Sequence, residues 1–141
     1  VALHDSDAET RIAAARAIGM LREYLASPQL LEQISACLFS DDSFVRSASA
    51  LVLGELGDMV SAPLLIKHLS RLLTDRDPYA REAAARALGR IGVAAATPEV
   101  FDALQQAIED DEVTVHEAAS DALSRLRDVR PAQALAVSAR A

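Results

Sequence analysis

The stretch REAAARALGRIG, residues 81–92, places Ala83, Ala84, Ala85 and Ala87 directly ahead of Leu88 and Gly89. Alanine has little surface to bury, so such a cluster makes sense where a close neighbour bars anything larger. The rest of the chain identifies that neighbour. Residues 11–22 read RIAAARAIGMLR, 46–57 read RSASALVLGELG and 116–127 read HEAASDALSRLR, each offset from its equivalent by 35 residues. Ala13, Ala48, Ala83 and Ala118 share a column, as do Ile18, Leu53, Leu88 and Leu123. Gly19, Gly54 and Gly89 share another, with Ser124 the exception, and Pro28, Pro63 and Pro98 a further one. Arg11, Arg46 and Arg81 align, with His116 in the fourth place. A fixed period of this length marks a repeat array, in which no unit buries its apolar face alone and stacking makes the core.

Each repeat divides into two helices. In DRDPYAR, Asp77 can cap a helix whose first residue is Pro78, where the missing N–H leaves nothing unsatisfied. First helices are expected at about 8–21, 43–56, 78–91 and 112–126, each running to the glycine near its end. Second helices open at the prolines and cover about 28–39, 63–73, 98–108 and 131–140. Their apolar residues fall at helical spacing, as in Leu65, Ile66, Leu69, Leu72 and Leu73. No segment alternates as a strand does. Neighbouring helices whose axes lie at the short end of roughly 8–10 Å need small residues between them, and alanine is also the best helix former. The alanines therefore belong to first helices pressed between repeats, and the larger aliphatics to second helices.

The pattern D-x-D-x-x-x-R-x-A-A-A-x-A-L-G-x-[IL]-G, nearly complete from Asp75 to Gly92, resembles a HEAT repeat of the short bacterial type related to phycobilin lyases. The resemblance implies an all-α fold, an α-solenoid of about four two-helix repeats spanning about 5–39, 40–74, 75–109 and 110–141 within one domain. It implies first helices on a convex side and second helices lining a concave side. It also implies an Asp–Arg ladder between repeats, carried by Asp5, Asp75 and Asp110 with Arg11, Arg46 and Arg81. Ser40 and His116 depart from that pattern, so the ladder should weaken there. A tetratricopeptide array has nearly the same period but usually carries large aromatics in its first helix, where this chain has alanine.

Composition narrows the function. The 141 residues carry a formal net charge of −7, which disfavours nucleic acid and anionic membrane surfaces, because both are held mainly through Lys and Arg. No apolar run approaches the ~20 residues that span a bilayer. Cys37 is the one cysteine, so no internal disulfide forms and a reducing, cytoplasmic location is expected, in a bacterial protein by the resemblance. Cys37 shares a column with Leu72 and Ala107 and is read as a buried structural thiol. The chain starts at Val1, and Ala2 and Leu3 align with Cys37 and Leu38. Residues Val1 to His4 are therefore expected to close a preceding second helix, making the chain a fragment of a longer array that self-associates through open solenoid ends.

No catalytic constellation survives inspection. His116-Glu117 resembles the His-Glu pairs with which HEAT-repeat deoxyhypusine hydroxylases hold iron, but the equivalent positions here are Arg11-Ile12, Arg46-Ser47 and Arg81-Glu82. A metal needs several converging ligands, and His4 and His68 lie in unrelated columns, so neither metal nor cofactor is expected. Gly54 and Gly57 flank GEL, which has no phosphate-loop spacing and reads as a helix end. What remains is surface. Removing the apolar columns from the second helices leaves a candidate partner-binding row on the concave face: Glu32, Phe39, Lys67, His68, Arg71, Asp102, Gln105 and Gln106. Lys67 and Arg71 sit one turn apart on one helix face, a basic cluster between acidic neighbours. On the convex side Phe44 and Leu51 lie two turns apart, with Tyr79 in the column of Phe44. The expected function is a non-enzymatic scaffold that binds a protein or peptide. The alternative, implied by the resemblance alone, is a lyase-like or regulatory subunit handling a tetrapyrrole.

The alanine columns make a direct prediction. Ala83→Leu should destabilise by about 1–3 kcal/mol through overpacking, while Arg86→Ala, on the exposed side of the same helix, should leave the melting temperature nearly unchanged. Equal melting temperatures for the two variants would contradict close packing at Ala83.

Overall fold

Cap chemistry sets where each helix starts. The Asp42 carboxylate accepts the Phe44 N–H at 2.9 Å, Asp77 accepts the Ala80 N–H at 3.1 Å, and the Thr97 hydroxyl accepts the Val100 N–H at 3.3 Å. Each leaves one fewer unsatisfied donor at a helix N-terminus. The computed structural model describes residues 8–140. Its helices are α1 (Ala8–Leu25), α2 (Pro28–Cys37), α3 (Ser43–Leu56), α4 (Pro63–Leu72), α5 (Pro78–Ile91), α6 (Pro98–Ala107) and α7 (Val113–Arg140), with single 3-10 turns at Gly57–Met59 and Gly92–Ala95. Among the described residues there is no strand. The expectation for Val1 to His4, and the Asp5 rung of the ladder, lie outside the described residues.

The described residues form two compact units, one up to Gln33 and one from Ile34 onward. In the first, α1 closes with the Ala26 and Ser27 N–H groups bonded to the Arg22 and Tyr24 carbonyls, and the Ser27 hydroxyl then accepts the Leu30 N–H. Ile12, Met20, Leu21 and Tyr24 are exposed and Leu30 is half-buried.

In the second unit the first helices of successive repeats abut along their length, α3 on α5 and α5 on α7. Each second helix packs against the first helix of the next repeat, α4 on α5 and α6 on α7, while α4 and α6 meet only sparsely. Leu53, Leu69, Leu88, Leu104, Leu123 and Leu126 are sealed between these layers. α5 is enclosed by α3, α7 and α4, so Ala83, Ala84, Ala85 and Ala87 are all buried although they point in different directions.

The glycine column has a different role from the one its position suggests. Gly54 lies inside α3 and does not end it. A Cβ built there would stand 3.1 Å from the Ala87 Cα, and one at Gly89 would stand 2.9 Å from the Ala122 Cα. Helices pack backbone to backbone at these two points. Termination belongs instead to Gly57 and Gly92, whose φ of 54° and 77° other residues adopt only with strain. Arg22 and Arg127 occupy the same column in the outer repeats, and there the helices run on, α1 to Leu25 and α7 to Arg140. The break expected between 126 and 131 is therefore absent, and the last repeat is one continuous helix. Pro131 also falls two residues short of the proline column and follows Arg130, with no capping side chain before it.

Cys37 is a further correction, being exposed where a buried thiol was expected. Its column-mates Leu72 and Ala107 are flanked by repeats of the second unit on both sides, whereas Cys37 lies at that unit's margin.

Among the described residues the ladder is present as two rungs. Arg46 donates through Nε and Nη2 to the two oxygens of Asp75 (2.8 and 2.9 Å), and through Nη1 to the Ser40 and Asp41 carbonyls (2.7 and 3.2 Å). Arg81 repeats the fork on Asp110 (2.7 and 3.1 Å) and gives Nη1 to the Asp75 carbonyl at 2.8 Å. The carboxylates also accept the Asp77 and Glu112 N–H groups, which fastens the loop ahead of each first helix. At the fourth place His116 donates Nδ1–H to the Ile108 carbonyl at 2.7 Å, a single bond in place of a charged fork.

Burial pushes the Asp75 carboxyl up, but the Arg46 hydrogen bonds, the Asp77 N–H and the Arg46 charge outweigh it and hold the group below its ordinary value. The Arg81 hydrogen bonds, opposed by burial and helped by the Glu112 N–H, do the same for Asp110. A lowered folded-state value means the stabilisation is complete above the ordinary carboxyl value of about 4 and is lost as pH falls through the lowered one. Asp75→Asn should therefore lower the melting temperature at neutral pH and flatten its decline below about pH 4. A variant whose melting temperature follows the wild-type acid profile would show that the rung contributes nothing.

Candidate functional site

α4 is strongly amphipathic. Leu65, Ile66, Leu69 and Leu72 face inward, so Lys67, His68 and Arg71 are left on the outer side. Lys67 and Arg71 are exposed and His68 is half-buried. Phe39, in the turn after α2, is 57% exposed, and its ring meets His68 edge to face with centroids 4.7 Å apart. The Ser35 hydroxyl and His68 Nδ1 share a hydrogen bond of 3.0 Å, which fixes the imidazole between Ser35 and Phe39. Burial lowers the His68 pKa below the ordinary histidine value, and the Arg71 and Lys67 charges lower it further. At neutral pH the ring is uncharged, and the cations of the patch are Lys67 and Arg71. Among the described residues neither forms an ion pair.

The structure thus brings Phe39, His68, Lys67 and Arg71 into one patch. Asp102, Gln105 and Gln106 are exposed on α6, and no hydrogen bond ties them to the α4 cations. Glu32 is exposed on the part of α2 that belongs to the first unit. Ser35, the side chain that orients His68, is absent from the row expected from sequence. It lies 33 residues before His68, two short of the repeat, so column alignment does not pair them.

His116 is committed to the Ile108 carbonyl, and Glu117 beside it is exposed. Among the described residues no group of three His, Cys, Asp or Glu side chains is placed to hold a metal ion. Among them, too, no helix is long and apolar enough to cross a membrane.

These features define an all-α solenoid of stacked two-helix repeats, fastened by Arg–Asp rungs and presenting polar second-helix faces. The sequence matches HEAT repeats over residues 1–71 and 66–141, and the chain belongs to that family. Human deoxyhypusine hydroxylase, solved with glycerol, is similar at 26% identity and a TM-score of 0.62, covering 90% of this chain and 41% of that one. One engineered protein shares 26% identity at a TM-score of 0.54, covering 89% of this chain and 59% of its own. A second shows a similar fold at 24% identity and a TM-score of 0.61, over 89% of this chain and 36% of its own. The chain thus spans less than two thirds of each. No curated protein matches the sequence. HEAT repeats are generally protein-interaction scaffolds.

The patch chemistry is measurable. By NMR, His68 should titrate below the ordinary histidine range, and Lys67→Glu with Arg71→Glu should raise its pKa by replacing two repelling cations with two anions. A His68 value that ignores both substitutions would place those charges away from the ring.

Proposed function

We propose that this chain is a non-enzymatic interaction scaffold that binds an acidic, extended protein segment across its second-helix face, the concave face by family resemblance. The observation that carries the proposal is the pair Lys67 and Arg71, exposed one turn apart, outside any ion pair among the described residues, and close to His68, whose ring meets Phe39. Paired surface charges contribute little to stability, and unpaired ones less. Cations left open next to an exposed aromatic suit recognition, since electrostatic matching speeds encounter and selects the partner. Glu32 and Asp102 occupy the Lys67 column in the neighbouring repeats. Within the second unit, Asp102, Gln105 and Gln106 would admit a segment whose acidic groups fall opposite Lys67 and Arg71 and whose flank toward α6 is neutral or basic. The exposed Cys37 thiol, unpaired within the chain, suits a reducing compartment such as the cytoplasm.

A synthetic peptide alternating Glu with Leu and Val serves as the probe, with a Lys-for-Glu analogue as control. Lys67→Glu with Arg71→Glu should slow association of the acidic peptide and blunt its salt dependence, whereas Arg16→Glu with Arg86→Glu should not. Binding that responds to the second pair and ignores the first would move the site to the first-helix face.

A further inference from the structure

The first helices carry a surface that the α4 patch leaves unexplained. Both α3 and α5 open with the same three-residue step, an aspartate cap, one intervening residue and an aromatic: Asp42-Ser43-Phe44 and Asp77-Pro78-Tyr79. The aspartates do structural work at the caps, but the aromatics do not. Phe44 is 75% exposed and Tyr79 is 73% exposed. They stand at the head of a cleft of about 550 Å³ between α3 and α5, which Leu51 and Arg86 continue two turns further along. Its floor is low because Ala83 lies there, one of the small residues that let the two helices approach.

Apolar side chains exposed singly need no explanation, but several around one depression mark an interaction surface. The cleft runs from Phe44 to Leu51, seven residues of helix or roughly 10 Å at the α-helical rise. Two turns of a helix laid into it would set one apolar side chain between Phe44 and Tyr79 and a second, seven residues away, beside Leu51. The charge is uneven along its length. At the far end Arg86 is neutralised by Glu82 at 2.7 Å. At the aromatic end Asp77 lines the cleft, its carboxylate accepting the Ala80 N–H, and at the head of α3 stand the Asp42 carboxylate, which accepts the Phe44 N–H, and the exposed Asp41. A cation on the occupant is thus favoured next to the aromatics, where a ring face adds its own attraction.

We infer that the α3–α5 cleft docks a basic amphipathic helix of a partner protein, its apolar side chains at i, i+3 or i+4, and i+7 filling the cleft and its Lys or Arg groups facing Asp42 and Asp77. This is a second surface, opposite in charge to the α4 patch. A solenoid with both would hold an acidic segment and a basic helix at once, and so bring two partners together.

The probe is a fluorescein-labelled peptide of four helical turns with Leu at i, i+4 and i+7 and Lys on its remaining face. The controls are a scrambled peptide of identical composition and a version with Glu for Lys. Binding to the full chain should weaken about tenfold or more with Phe44→Ser and Tyr79→Ser, the loss expected when central aromatic anchors are truncated. These side chains are exposed, and an unchanged melting temperature will confirm that the variant folds. Asp42→Asn with Asp77→Asn keeps good caps while removing charge, and should reduce both affinity and its salt dependence. Lys67→Glu with Arg71→Glu should leave this binding intact. Equal affinity for the scrambled peptide would overturn the inference by reducing it to bulk attraction between a polycation and an acidic chain, and equal affinity for the Glu-containing peptide would overturn it by showing that charge plays no part. So would serine variants that bind the peptide normally but sediment as smaller species than wild type, which would make the cleft a seam between two copies.

Discussion

Backbone contact between successive first helices is the constraint on which the second unit depends. A methyl group on Gly89 would meet the Ala122 Cα at 2.9 Å, and one on Gly54 the Ala87 Cα at 3.1 Å. Because the obstacle is backbone, no rotamer change relieves it; the helices would have to separate. Separation would open the space that Leu53, Leu88 and Leu123 now fill, so the aliphatic core and the small-residue columns stand or fall together. The same contact explains why aromatics are so few. First helices that touch through alanine and glycine leave no room for rings between them: Phe44 and Tyr79 stand outside, and the buried ring, Phe101, belongs to the second helix α6.

Close packing sets a distance but says little about how one repeat is turned or shifted against the next. The Arg–Asp rungs supply that register. Each guanidinium spans a carboxylate in the following repeat and carbonyls in the loop ahead of its own helix, so it fixes a loop, a helix and a neighbour at once. Planar fork geometry makes arginine suited to this in a way that lysine is not. Where His116 takes the place of arginine, the fork becomes one bond to the Ile108 carbonyl at the end of α6.

Most of the fold was legible because the residues that decide it repeat. The caps and prolines placed α2 to α6 within a residue or two at each end, and the columns named Leu53, Leu88, Leu123, Ala83 and Ala118 of the core, while Ala48 is half-buried and Ala13 exposed. The misreadings arise where a column changes its residue. Gly54 was read as a helix end because glycine commonly ends helices; its actual role, a close approach, depends on Ala87, 33 residues later. The run of α7 through Pro131 was signalled by Arg127 in the Gly57 and Gly92 column, a substitution that acquires meaning only once those two glycines are seen at positive φ. The binding row was partly legible. Exposure followed from subtracting the apolar columns, but the Ser35–His68–Phe39 contact lies off the 35-residue register, so no column comparison reaches it.

The division of labour between the two kinds of helix explains why fold was easier to read than function. In the second unit the first helices touch along their length, and at Gly54 and Gly89 the neighbouring backbone itself sets which residue fits. Second helices meet each other only sparsely, so their outer positions answer to no packing requirement. The Lys67 column reads Glu32, Lys67, Asp102 and the Arg71 column reads Ala36, Arg71, Gln106, with charge and size changing at each step. Periodicity reveals what must be constant, and recognition, on the proposed reading, is written in what is free to vary. A partner able to read this face would have to match the order along the second unit, basic at Lys67 and Arg71 and then acidic at Asp102, because no single repeat distinguishes it from a generic charged surface.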